Sequence, residues 1–324
     1  MNIKCLNSHI GENFAAYNGD CVEVMAQMPD NSIDYSVYSP PFSSLYIYSE
    51  SARDMGNVEN DEEFQAAYRH AVREKFRITK HGRLSSIHVK DLVYYSNASD
   101  KGDRGIRDFT GECIRTHVAE GWTLHSKTTV WRCPVREMTK SKPDGLLYKN
   151  FRTDAARVRQ GLPEYIVTFR KWAEGMDENP VLHVPGLWHE WAGEGAQFVA
   201  KGHNDPYYEA LDIWQQWASP VWMDTNSTNV LHSKGKSDDE EKHLCPMPLD
   251  LTDRCIRLWT NKGDVVLSPF MGIGSEGYAA MKAQRRYIGV ELKDSYFRQA
   301  VRNISQAEKE SSGGTLLQFM GGAS

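Results

Sequence analysis

The run Ile33-Asp34-Tyr35-Ser36-Val37-Tyr38 stops at Ser39-Pro40-Pro41-Phe42, and this junction constrains the chain more than any other. Ile33 to Tyr38 reads as a short buried strand. Two prolines then forbid its continuation, because neither has an N–H to give to a neighbouring strand. The product is a rigid turn at the carboxyl end of a strand, where open α/β sheets place their ligands. Backbone carbonyls without partners in the turn, the Ser39 hydroxyl and the Phe42 ring together suit a planar group that carries an NH₂. The oxygens accept from the amine while the ring stacks. The alternative is a Pro-Pro turn followed by a core phenylalanine.

A second unit lies more than two hundred residues downstream. Asp264 to Gly277 reads as strand, glycine turn and helix start: Val265 to Leu267 is apolar, and Gly272 and Gly274 allow close backbone approach. Tyr278-Ala279-Ala280-Met281 begins a helix, and a further strand, Tyr287 to Val290, ends in Glu291. A glycine loop after one strand and an acid closing the next is the nucleoside-binding half of a Rossmann-like unit, the acid gripping ribose hydroxyls. The distance from Gly274 to Glu291 is close to the roughly 20 residues such units show. Phe270 and Met271 stand where a dinucleotide fingerprint would need small residues.

Ser39-Pro40-Pro41-Phe42, together with Ser268-Pro269-Phe270-Met271-Gly272-Ile273-Gly274 and Glu291, resembles the S-adenosylmethionine-dependent DNA amino-methyltransferases, which methylate N6 of adenine or N4 of cytosine. The resemblance runs from Gly19-Asp20-Cys21 to about Ile304. Catalytic motif first and cofactor motif last is similar to the β class. It implies an α/β, Rossmann-like methyltransferase fold with a mostly parallel twisted sheet, circularly permuted, with an inserted target-recognition region. The implied division is 15–131 for the catalytic half, 132–240 for the recognition region (with a sheet strand near 164–171), 241–308 for the cofactor half and 309–324 for a flexible tail.

The resemblance also implies roles. Ser39, Pro40, Pro41 and Phe42 form the catalytic turn. Asp20, His243, Pro246, Ser268, Phe270, Gly272, Gly274 and Glu291 hold S-adenosylmethionine, with Asp20 near its adenine and the Lys242–Pro248 segment near its methionine part. Ser268 departs from the family, in which many members carry Asp. The stretch from Ser39 to Asn57 looks most like solitary and phage-type members, often adenine enzymes, whereas Ser-Pro-Pro leans towards cytosine N4. Adenine is placed slightly ahead. The implied partner is double-stranded DNA, with the target base flipped out of the helix to reach the turn. A homodimer, and a place in or outside a restriction–modification pair, are compatible with this. RNA or small-molecule methylation and a non-catalytic DNA-binding module are the competing readings.

A net charge of −5 argues against a nucleic-acid binder on average, but the charge is unevenly spread. From Arg132 to Lys171 there are ten Lys or Arg against four acids, net +6, leaving −11 for the remainder. Phosphate affinity follows the local patch. Arg132, Arg136, Lys140, Lys142, Lys149 and Arg152 are therefore the DNA-binding candidates, a solvated basic surface being the alternative.

Helical spacing at Phe64, Tyr68, Val72 and Phe76 predicts a helix, broken at His81-Gly82 before a strand from Leu84 to Val89. Helices near Phe109–Val118, Leu249–Trp259 and Tyr296–Ile304 and strands at Trp122–Trp131 and Tyr165–Phe169 complete an alternating pattern, hence a largely parallel sheet. Six of the nine tryptophans fall between 172 and 222, a satellite core or contact surface. His88, Lys90 and Asp91 share the sheet edge with Ser39. No Ser-His-Asp or Cys-His pairing and no metal spacing stands out. Six cysteines without a Cys-x-x-Cys read as reduced thiols, and with no signal-peptide core after Met1 and no apolar run of about 20 residues, a cytoplasmic protein is expected.

Overall fold

The computed structural model describes residues 3–42, 61–96, 101–140, 152, 158–172, 206–231 and 246–320. In chain order these form β1 (Asn7–Ile10), β2 (Phe14–Asn18), α1 (Cys21–Met25), β3 (Ile33–Tyr38), α2 (Asp61–Ile78) and β4 (Thr79–Val89). A small hairpin of β5 (Leu92–Tyr94) and β6 (Gly105–Arg107) precedes α3 (Phe109–Ala119), β7 (Thr123–Val130), α4 (Pro134–Lys140) and β8 (Glu164–Arg170). The remainder is α5 (Pro206–Trp217), β9 (Val221–Trp222), α6 (Leu249–Trp259), β10 (Val265–Ser268), α7 (Ser275–Lys282), β11 (Arg286–Glu291) and α8 (Asp294–Met320).

Nine strands make one sheet in the order β1-β2-β11-β10-β3-β4-β8-β7-β9. The five strands from β2 to β4 in that order are mutually parallel. β8 runs against both β4 and β7, so the expected largely parallel sheet is found with an antiparallel member at this side. From β10 the chain crosses to β11 and from β3 it crosses to β4, in opposite directions along the sheet. The junction of β10 and β3 is thus a topological switch point, with a crevice at the carboxyl ends of the strands.

Both faces are covered, as a parallel sheet requires. On one, α1, α2 and α3 bring Val24, Met25, Phe64, Tyr68, Val72 and Phe109 against Tyr38, Ile87, Val167 and Leu267. On the other, α6, α7 and α8 bring Leu251, Ile256, Ala280, Phe297 and Ile304 against Ala16, Tyr35, Val37 and Val266.

One local expectation is corrected. The break at His81-Gly82 is a kink inside β4: Gly82 takes φ 74° and its amide still bonds to Lys171 O at 2.8 Å, so the strand absorbs the extra residues and continues. Beyond 309, α8 continues to Met320. The polar insertion near 139–161, the Trp-rich segment and the acidic run at 237–241 lie largely outside the described residues. Among the described residues no helix is long and apolar enough to cross a membrane, no group of side chains could hold a metal, and Cys5, Cys21, Cys113, Cys133 and Cys255 are free thiols.

Candidate active site

The parallel register brings the two distant motifs together. β3 and β10 are neighbours, with Tyr35 opposite Val266 and Ser36 opposite Leu267. Tyr38, the last residue of β3, lies with its ring centroid 5.5 Å from that of Phe270. Phe270 also lies 6.5 Å from Tyr68. Ser39, Pro41 and Phe42 are half-buried and Pro40 is buried. The Phe42 ring leans on Phe109 at the start of α3, with centroids 6.4 Å apart.

Beneath the turn lies a polar cluster. Lys75 Nζ donates to Tyr38 OH at 2.7 Å and lies 2.8 Å from His117 Nε2, while Tyr38 OH is 3.1 Å from Tyr68 OH. His117 Nδ1 is 2.8 Å from Cys113 O, which accepts its proton and leaves Nε2 to accept from Lys75. Burial pushes the Lys75 amine and the His117 ring well below their usual ranges, which disfavours charge on either group. Lys75 escaped the sequence reading, although it stands three residues after Val72 on the buried stripe of α2.

At the cofactor-type loop, Gly272 takes φ 54° and Gly274 φ 89°, a backbone that glycine adopts without strain. Gly272 N donates to Glu291 Oε2 at 2.8 Å and Lys293 N to Glu291 Oε1 at 2.9 Å. Gly274 serves packing: a Cβ there would stand 3.1 Å from the Ile304 side chain and 3.2 Å from Ala300 Cα. Ser268 is fully buried at the end of β10, beside the buried Tyr287 of β11. Glu276, at the first turn of α7, is buried, which together with the charge of Glu291 raises its carboxyl to about 8.

Gly19 N bonds to Glu291 O at 3.1 Å and Asn18 Nδ2 to the same oxygen at 2.8 Å, so the β2 end is pinned beside that acid. Asp20 caps α1 through Oδ1, which accepts from Val22 N at 2.9 Å and Glu23 N at 3.0 Å. Pro246 is half-buried ahead of α6, and His243 lies outside the described residues.

The other side of the turn holds an arrangement that sequence reading did not pair. Tyr38 sits opposite Ile87 in the parallel register, which sets Ser39 beside His88. Ser39 Oγ is 3.1 Å from His88 Nδ1, and His88 Nε2 is 2.9 Å from Glu164 Oε2. The antiparallel course of β8 brings Glu164, its first residue, to this edge. Arg132 Nε is 3.0 Å from Glu164 Oε1, so this DNA-binding candidate is engaged at the Ser39 edge. Burial alone would raise the Glu164 carboxyl, but the bond from His88 and the charges of Arg132 and Lys90 outweigh it and hold it below the usual carboxylate range. Lys90 pairs with Glu137 of α4, and Asp91 accepts from Thr110 N at 3.0 Å. Arg136 and Arg152 are exposed; Lys142 and Lys149 lie outside the described residues, as does the side chain of Lys140.

The N6_N4_Mtase family, described as DNA methylase, matches residues 33–302. Type II methyltransferase M.BglI of Bacillus subtilis is 23% identical, over 92% of this chain and 87% of that protein. Among solved structures, the putative DNA modification methylase TTHA0409 of Thermus thermophilus, complexed with S-adenosyl-L-methionine, superposes with a TM-score of 0.59 at 22% identity, covering 90% of this chain and 93% of that one. The PvuII DNA methyltransferase, cytosine-N4-specific, does so with a TM-score of 0.54 at 17% identity, covering 94% of each. These two carry the fold. With the family matched across most of its length, the chain belongs to the N6/N4 DNA methylases.

Proposed function

We propose that this DNA methylase moves a methyl group from S-adenosylmethionine to the exocyclic amine of a base flipped out of duplex DNA into the Ser39–Phe42 turn. The observation that carries this reading is the meeting of that turn with the glycine loop at one switch point, through the Tyr38–Phe270 contact. The residues suit the cofactor: an acid beside a glycine amide for the ribose diol, and Asp20 close by for the adenine. Pro246 and His243 are assigned to the methionine part. In this reading the chain is circularly permuted, with 132–240 as the recognition region and Arg132, Arg136, Lys140, Lys142, Lys149 and Arg152 as its basic contacts.

When bound, S-adenosylmethionine supplies a methyl group activated by a sulfonium, so the amine can attack it without a covalent enzyme intermediate. Ser39 Oγ and the Pro40 carbonyl accept from the two amine hydrogens, which orients the nitrogen and disfavours delocalisation of its lone pair into the ring. Phe42 stacks on the base. Adenine N6 is placed first, on the resemblance of the stretch from Ser39 to Asn57 to solitary members, and cytosine N4 second, on the serine that opens the turn. Tritium transfer to duplex DNA, RNA and free nucleosides tests the substrate class, and chromatography of digested product reads the base. Label in RNA or nucleosides and none in duplex DNA overturns the proposal.

A further inference from the structure

The Ser39–His88–Glu164 chain does more than hold a turn in place. Glu164 is kept ionised by the groups around it, so its oxygens can only accept. Oε1 faces Arg132 Nε, a donor, and Oε2 faces His88 Nε2 at 2.9 Å. The imidazole therefore carries a proton on Nε2, and in the neutral ring Nδ1 is bare. Bare Nδ1 lies 3.1 Å from Ser39 Oγ, so the hydroxyl hydrogen points at His88 and not at the substrate. The other charges at this edge, Lys90 with Glu137, form their own pair, and Asp91 is engaged with α3.

We propose that His88 is the positioning residue for Ser39: it draws the hydroxyl proton to Nδ1, so that Oγ meets the target amine as an acceptor, and it receives that proton when the amine releases its own. This rests on the reading of Ser39 as the amine's acceptor. In the reaction the nitrogen lone pair forms the N–C bond as the C–S bond breaks, its electron pair going to sulfur. The nitrogen, now cationic, gives a proton to Ser39 Oγ as the hydroxyl proton passes to His88 Nδ1. The imidazolium so formed stands against the Glu164 carboxylate, and charge is balanced at each atom. A serine is a weak acceptor by itself; a proton sink behind it gives the released proton a path out of a half-buried site.

Glu164→Gln is the discriminating variant. Arg132 can only donate, so it holds the amide oxygen, which turns the amide NH₂ towards His88 Nε2. Nε2 must then accept, and the ring proton moves to Nδ1, where it donates to Ser39 Oγ and turns the hydroxyl hydrogen outwards. A neutral amide in place of a carboxylate selects the wrong tautomer in just this manner. In ¹⁵N-histidine-labelled protein without ligands, NMR should find the His88 proton on Nε2 in the parent and on Nδ1 in Glu164→Gln, with the resonance identified by its loss in His88→Phe. Single-turnover transfer should slow on the order of 10–10²-fold in Glu164→Gln and in His88→Phe, with DNA and cofactor affinities unchanged. Neither substitution should slow a Ser39→Ala enzyme further, because each acts through that hydroxyl. A proton on Nδ1 in the parent, or an equal slowing in the Ser39→Ala background, overturns the proposal. If Ser39→Ala is slow while His88→Phe and Glu164→Gln keep full rate, His88 alone is misassigned; if Ser39→Ala itself keeps full rate, the reading of Ser39 fails and this inference with it.

Discussion

Gly272 donates its backbone amide to Oε2 of Glu291 at 2.8 Å, which ties the loop after β10 to the acid that ends β11. Because Glu291 Oε1 accepts from Lys293 N, one carboxylate sets the shape of both sides of the cofactor-type crevice. A carboxylate oxygen can accept more than one hydrogen bond, so an acid at this position can shape the loop and also take a ribose diol.

Glu291→Ala should therefore lose S-adenosylmethionine affinity and some stability together. Each charge-assisted bond is worth roughly 1.5–3 kcal/mol, so affinity should fall about tenfold to a hundredfold or more. Calorimetry reads the affinity and urea unfolding the stability. Unchanged affinity would remove Glu291 from the site.

Gly274→Ala should destabilise the fold. The new Cβ meets Ile304 at 3.1 Å and the Ala300 backbone at 3.2 Å, and the residue must hold φ 89°. A loss of roughly 1–3 kcal/mol is expected in urea unfolding. An unshifted midpoint would mean that α8 moves aside without cost.

Glu276 links stability to pH. Its carboxyl is raised from 4.5 to about 8 by burial and by the neighbouring Glu291 charge, so the folded state holds a proton that the unfolded chain releases. The fold is favoured fully below pH 4.5, loses stability as pH rises, and levels off above about 8. Glu276→Gln removes this titration at nearly constant volume. The variant should match the parent at pH 4 and exceed it increasingly up to pH 8, by at most roughly 3 kcal/mol at pH 7. Melting of the ligand-free protein from pH 4 to 8 checks the trend; a gain largest at pH 4 would contradict it.

Much of the fold was legible because burial leaves a periodic trace. The stripe at Phe64, Tyr68 and Val72 gave α2, and the run ending at Pro40-Pro41 gave β3. The glycine pair and Glu291 gave the β10–α7–β11 unit. What stayed hidden depends on register and strand direction. Glu164 reaches His88 only because β8 runs antiparallel to β4, and Lys75 is buried only because Tyr38 and His117 satisfy it. Neither relation has a local signature. Gly82 misled in the opposite sense, since a glycine that looks like a break can carry a kink within a strand.

Neutralising Lys140, Lys142 and Lys149 together should weaken DNA binding and flatten its salt dependence, each lost phosphate contact lowering the slope by about one. Cofactor affinity should not change. Arg132 belongs to a different test, because its guanidinium faces Glu164: Arg132→Ala should impair turnover more than the salt slope. Fluorescence anisotropy across a salt series separates the two. An unaltered slope in the triple variant would leave the basic segment as solvated surface.

Phe42→Ala should damage capture of the flipped base more than the fold. The ring is half-buried and leans on Phe109 with centroids 6.4 Å apart, so its removal gives up part of a ring contact at the rim of the core. An aromatic pair contributes roughly 0.5–1.5 kcal/mol beyond its area, and unfolding should show a loss of that order. The larger consequence is for the substrate, because stacking is worth roughly 1–3 kcal/mol per base. Transfer to a paired target should slow accordingly, and the defect should shrink when the target base is mispaired, since extrusion then costs less. Phe42→Tyr, which keeps the ring, should behave like the parent on both targets. Equal defects of Phe42→Ala on paired and mispaired DNA would show that the ring serves only packing within the protein, and the Ser39–Phe42 turn would have to hold its base by hydrogen bonds alone.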